Sequence, residues 1–172
     1  GAGCVNVIAP KGGWSGPVPG EGFLYLGTGD GKDGRVVRID PTTGQLDEGW
    51  KYPPGKTGVG AIYGSPLVRD GVVYDAGYSC RGNVCAAEVF ALDAATGNPV
   101  WSEGGYKVAS KVVGRAALGA GVLVFGTAQV GQKDEVPGYL YALDPAQDAG
   151  KQLQGRVQGR LKWRVAVDGV VF

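Results

Sequence analysis

Three aspartates recur in one local setting. Asp40 lies in VVRIDPTTGQLDEGW, Asp93 in VFALDAATGNPVW and Asp144 in LYALDPAQDAG, 53 and 51 residues apart. Each ends an apolar segment, and each is followed by a turn and then by a tryptophan: Trp50, Trp101 or Trp163. A carboxylate can act as general acid, nucleophile or metal ligand. A group copied once per repeat has the wrong multiplicity for one catalytic centre, so these three read as structural. Asp30 and Asp33 in DGKDGR are the only weak metal candidates. A calcium loop asks for more oxygen ligands at alternating positions and a closing Glu, and here Arg35 follows instead, so a Gly-rich hairpin turn is the stronger reading. GTGDG echoes phosphate-binding glycines, but it sits between two strand-like segments rather than before a helix.

The chain of 172 residues contains no histidine. That excludes Ser-His-Asp and Cys-His units, His-ligated zinc and an imidazole base. The 17 basic and 16 acidic residues are well mixed, with no basic stripe of the kind nucleic acid requires. Lys151, Arg156, Arg160, Lys162 and Arg164 form a local basic cluster; a solvated loop is expected there, with docking of an acidic partner as the alternative. No apolar run reaches the roughly 20 residues needed to span a bilayer. The missing initial methionine suggests a processed or incomplete segment of a longer product.

Cys80 and Cys85 flank Arg-Gly-Asn-Val in CRGNVC. A hairpin with Gly82 and Asn83 at its tip would bring the two sulfurs within disulfide reach. A metal would need two more soft ligands, and only Cys4 remains. The disulfide reading puts the protein outside the cytosol; the alternative is two free thiols.

These residues must be positioned by strands. The 33 glycines lie between short apolar segments rich in Val, Leu and Tyr rather than in low-complexity runs. Around each aspartate the order repeats: a small-residue strand (GWSGPV, IYGSPLV, VVGRAAL), a second strand (FLYLGTG, VVYDAGY, VLVFGTA), a third ending in the aspartate, and a fourth carrying the tryptophan. Four strands in a period of about 50 residues indicate β-propeller blades. The expected fold is all-β, with four-stranded antiparallel sheets at about 13–53, 60–103 and 110–168, after an arm at 1–12. Residues 170–172 would begin a fourth blade, and 147–161 are an insertion that delays Trp163. The small-residue strands suit the crowded inner edge. Aspartate can accept amide bonds in the turn that follows it, and Gly44 and Gly97 supply positive φ. The indoles cover apolar area between blades while offering an N–H.

VFALDAATGNPVW and YLYALDPA resemble the repeats of quinoprotein-type (PQQ-like) β-propellers, whose blade signature is close to Y-A-L-D-A-x-T-G-x-x-x-W. The resemblance covers the chain from Trp14 onward and implies a ring of seven or eight blades, of which this chain holds an arc. Family dehydrogenases hold PQQ beneath a vicinal Cys-Cys disulfide beside a catalytic Asp and calcium. This chain has no CC and no matching calcium set, so neither PQQ nor calcium is expected and no catalytic residue is carried over. GAGC resembles a bacterial lipobox, which implies lipidation at Cys4; Gly1 stands where that pattern has Leu, and the alternative is a spare thiol. The same repeats serve lipoproteins of the outer-membrane barrel-assembly scaffold. The resulting expectation is an extracytoplasmic, lipid-tethered, non-enzymatic scaffold whose partners are other protein chains or further blades. The alternative is a fragment of a propeller enzyme. Trp14, Tyr25, Tyr139 and Tyr141 are expected on the bare outward faces of the first and third blades.

Overall fold

The computed structural model describes residues 15–29, 33–54, 58–102, 104–128, 137–146 and 160–167. Among these there is no helix; twelve strands form three four-stranded antiparallel sheets, each in simple chain order. The first sheet, blade 1, contains β1 (Val18–Gly20), β2 (Phe23–Thr28), β3 (Arg35–Ile39) and β4 (Leu46–Tyr52). Blade 2 contains β5 (Leu67–Arg69), β6 (Val72–Arg81), β7 (Val84–Asp93) and β8 (Gly105–Val108). Blade 3 contains β9 (Ala117–Gly119), β10 (Val122–Gly126), β11 (Gly138–Leu143) and β12 (Leu161–Val167).

Period-2 alternation gives each blade two apolar faces, and the blades bury them against each other. In blade 2 the cross-strand pairs Val73–Leu92 and Asp75–Phe90 face blade 1, while Tyr74–Ala91 and Ala76–Val89 face blade 3. One core joins Tyr25, Val36 and Trp50 of blade 1 to Ile62, Val73, Phe90 and Leu92. The other joins Tyr74, Val89 and Trp101 to Leu123, Phe125, Tyr141 and Leu143 of blade 3.

Three differences from the sequence reading follow from this packing. Tyr25 and Tyr141 are not on bare outward faces. Both are buried at blade junctions, because alternation turns them toward blade 2; Tyr139 is partly buried against the second core. Trp101 does not lie within the fourth strand of its blade: it precedes β8, tied in by the Leu92–Pro99 bridge and the Val100 amide on the Ala91 carbonyl (2.8 Å). Arg160, expected in a solvated loop, is fully buried. Cys4, Trp14, Asp30, Lys151, Arg156 and residues 170–172 lie outside the described residues.

Candidate interaction site

The repeated aspartates cap turns. The Asp40 Oδ1 accepts the Thr42 amide (2.7 Å), the Asp93 Oδ1 accepts the amide and hydroxyl of Thr96 (2.7 and 2.8 Å), and the Asp144 Oδ1 accepts the Ala146 amide (3.0 Å). These bonds hold each carboxyl below its ordinary range: the Thr42 amide for Asp40, the Thr96 side chain for Asp93, and Lys162, 2.8 Å from Asp144, for the third. In the first two turns the glycine N–H returns to the aspartate carbonyl at 2.8 Å, with φ of 68° at Gly44 and 75° at Gly97. A carboxylate so occupied supports a turn and is not poised for proton transfer.

The turns are also where blades meet. The Trp50 indole of blade 1 lies against the Gly97 turn of blade 2, with ring atoms 3.3–3.4 Å from where a Cβ would stand. The carbonyl after Asp93, that of Ala94, accepts the Tyr25 hydroxyl (3.1 Å) and an Arg38 Nη1–H (2.9 Å). Arg38 is held by Asp47 Oδ2 at 2.5 Å and spans the rings of Phe23 (4.0 Å) and Trp50 (5.6 Å). With that carbonyl taken, the buried Trp50 Nε1 finds no acceptor among the described residues. One junction further, the carbonyl after Asp144, that of Pro145, accepts Trp101 Nε1–H at 3.1 Å. Arg160 lies 4.2 Å from the Trp101 ring and donates to the carbonyls of Asp144 and Ala146. Each junction is thus an indole, a cation and the carbonyl that follows the next blade's aspartate.

The third copy is open. Trp163 pairs with Ala142 on β11, two residues before Asp144, and is 42% exposed where Trp50 and Trp101 are each 1% exposed. Val165 (55%) follows it on the same face of an edge strand, and Leu161 (38%), opposite Leu143 beyond a bulge, is exposed as well. Sequence reasoning found the three tryptophans but missed Arg38 and put Arg160 in a solvated loop, because nothing in their spacing repeats between blades.

Cys80 and Cys85 are directly opposed in the β6–β7 hairpin and their sulfurs are bonded. Asp33 is exposed, and among the described residues no group of three or more His, Cys, Asp and Glu could hold a metal ion. One carboxylate escaped the sequence reading. Asp75 is buried facing blade 1; its Oδ1 accepts the Ala76 amide (2.8 Å), and its Oδ2 has no partner among the described residues. Burial pushes its pKa well above the ordinary carboxyl value, against a smaller pull from that amide. Aligning the repeats by register would have shown it, since Leu26 and Phe125 hold the same place in β2 and β10.

Comparison with known proteins agrees with this geometry. The family model described as outer membrane protein assembly factor BamB, of the PQQ-repeat type, matches residues 5–169. Among solved structures, a quinohemoprotein alcohol dehydrogenase of Pseudomonas putida HK5, ADHIIG, superposes with a TM-score of 0.57 at 21% identity, over 93% of this chain and 21% of that one. The chain therefore spans about a fifth of that enzyme's length, and at this identity the likeness shows the fold alone. No curated protein matches the chain.

Proposed function

From a chain that belongs to the PQQ-repeat family of outer membrane protein assembly factor BamB, we propose a non-catalytic propeller module that holds other protein surfaces outside the cytosol, tethered to a membrane through a lipid on Cys4. The observation that carries this reading is the exposed apolar row Leu161, Trp163 and Val165 on an edge strand. Elsewhere in the chain the same tryptophan position is buried by a neighbouring sheet, so this row has the composition of a junction and the exposure of a surface. The capped aspartates support a scaffold rather than an enzyme, since their carboxyl oxygens are engaged in turns. The Cys80–Cys85 bond supports an oxidising compartment, and the lipobox-like GAGC supports the tether.

The test is site-specific photocrosslinking in the producing cell. A photoreactive residue at Val165 is expected to give protein adducts, and one at Glu48, on the exposed polar stretch of β4, to give none. Absence of adducts from position 165 overturns the reading. So does reduction of an electron-acceptor dye by the purified chain supplied with PQQ, calcium and a primary alcohol. Intact mass and fractionation report the tether: an acyl mass at Cys4 with membrane recovery is expected, and an unmodified chain in the cytosol removes that part.

A further inference from the structure

The β6–β7 hairpin outgrows its sheet. Its ladder runs from Val72↔Asp93 out to Arg81↔Val84, while the β8 ladder stops at Ala87↔Val108 and the β5 ladder at Leu67↔Tyr74. The last lateral tie is the Ala61–Tyr78 bridge, with backbone bonds of 2.7 and 3.0 Å. Beyond it the rungs Ser79↔Ala86, Cys80↔Cys85 and Arg81↔Val84 form a two-stranded ribbon with no third strand among the described residues. A ribbon of two strands is marginal in water, so the Cys80–Cys85 bond is what holds these rungs together. With a sequence separation of 5 it closes a very short loop and removes little freedom from the unfolded chain, so it acts on the tip rather than on the fold. The bond is also lopsided: the whole stretch 79–84, Cys80 included, is exposed, whereas Cys85 is 5% exposed.

We propose that Cys80 is a thiol-exchange site and that the tip 79–84 is the element it switches. A small-molecule thiolate attacks the Cys80 sulfur, the one it can reach. Its bond to Cys80 forms as the Cys80–Cys85 bond breaks, and the electron pair leaves on Cys85, which takes a proton from solvent. A second thiolate then attacks the small-molecule sulfur of this mixed disulfide and releases Cys80, which is protonated in turn. The protein disulfide is reduced to two thiols, and two small thiols are oxidised to their disulfide. Access selects the sulfur attacked. A buried thiolate is the poorer leaving group, which slows the step but does not redirect it, because Cys85 offers an attacker almost no surface. After reduction the two halves behave differently. Cys85 stays seated as a small apolar residue, and 79–84 is left with neither staple nor neighbouring strand. Fraying stops at Tyr78, which is held by the Ala61 bridge, the edge-on Tyr63 ring (5.4 Å) and the Lys111 ammonium (5.8 Å). The switch orders or releases one projecting tip and leaves the three sheets alone.

Reduced glutathione is the probe, added to the native chain and quenched in acid at intervals, with freed thiols alkylated and located by peptide mass. The expected first species carries glutathione on Cys80 and a free thiol at Cys85, followed by the form with both thiols free. Amide exchange over 79–84 should quicken roughly tenfold or more on reduction, while β2, β3 and β10 keep the rates of the oxidised chain. Single variants separate the two halves. The Cys80 thiol left in Cys85→Ser should react with glutathione disulfide roughly tenfold or more faster than the Cys85 thiol left in Cys80→Ser. A first adduct on Cys85, a bond that yields only in denaturant, or unchanged protection over 79–84 would each overturn the proposal. So would equal reactivity of the two single thiols, or loss of protection across all three sheets on reduction.

Discussion

At the scale of single residues, two aspartates with opposite surroundings make opposite predictions. Asp93 gains bonds in the folded turn, chiefly from the Thr96 side chain, so its pKa lies below the unfolded value of 3.8. Its stabilisation is present at neutral pH and is lost as pH falls through the folded pKa. Replacing it with Ala is expected to cost about 1 kcal/mol at pH 7, the ordinary net worth of such a bond, and the cost should shrink in acid. Asp75 runs the other way. Burial raises its folded pKa above 3.8, so its contribution is fully present below that value and is lost as pH climbs through the folded pKa. Asp75→Leu, which restores the apolar type found at Leu26 and Phe125, should therefore be more stable than the unmodified chain at pH 7. The gap should open by about 1.4 kcal/mol per pH unit above the unfolded value until the folded pKa is passed. Urea unfolding at pH 2.5, 4, 5.5 and 7 measures both, the lowest pH reporting Asp93 and the other three Asp75. A gap for Asp75→Leu that widens toward acid would show the carboxyl is charged when folded.

At the scale of elements, the two glycine turns separate backbone strain from packing. Gly44 and Gly97 share a positive φ, so alanine at either position meets a left-handed backbone that costs roughly 1–2 kcal/mol. Only at Gly97 does the new methyl also meet an indole, at 3.3 Å. Gly97→Ala is expected to lower the unfolding midpoint more than Gly44→Ala, and equal losses would mean that Trp50 yields without cost. The β6–β7 hairpin gives a second element-level expectation. Labelling the native chain with a thiol reagent in the absence of reductant should leave Cys80 and Cys85 unmodified, and labelling of both would contradict the bonded hairpin. Elements of this kind were legible in the sequence because their cause is local. An aspartate ending an alternating run, a glycine four residues later and a tryptophan beyond are neighbours along the chain, and CRGNVC is a hairpin by its own length. Arg160 was not legible, since its burial depends on the Trp101 ring, which arrives from another blade. The exposure of Trp163 was hidden for the same reason: residue type does not report what packs against a strand from elsewhere.

At the scale of the whole molecule, stability should divide by junction. The two cores each span one pair of blades, Tyr25 to Phe90 in the first and Tyr74 to Leu143 in the second, with blade 2 shared between them. Structures of this kind approximate a sum of unit and nearest-neighbour terms, so damage at one interface acts first on the two units it joins. Trp101 is 1% exposed, contributes to the second core and donates to Pro145. Truncating a buried tryptophan to alanine costs about 3–5 kcal/mol, a large share of a typical 5–15 kcal/mol total. In Trp101→Ala that loss falls on the blade 2–3 junction, and amide exchange in β9 to β12 should quicken by roughly a hundred- to a thousandfold, each tenfold step being worth about 1.4 kcal/mol. Exchange in β2 and β3, on the far side of the intact first core, should change far less. Trp50→Ala should give the mirror result, loosening β1 to β4 and sparing β10 and β11. Trp163→Ala should leave exchange in all three sheets closer to that of the unmodified chain, because Trp163 belongs to neither core. Equal acceleration across the three blades in Trp101→Ala would mean that the arc opens as one cooperative unit, and the junction-by-junction account of its stability would fall.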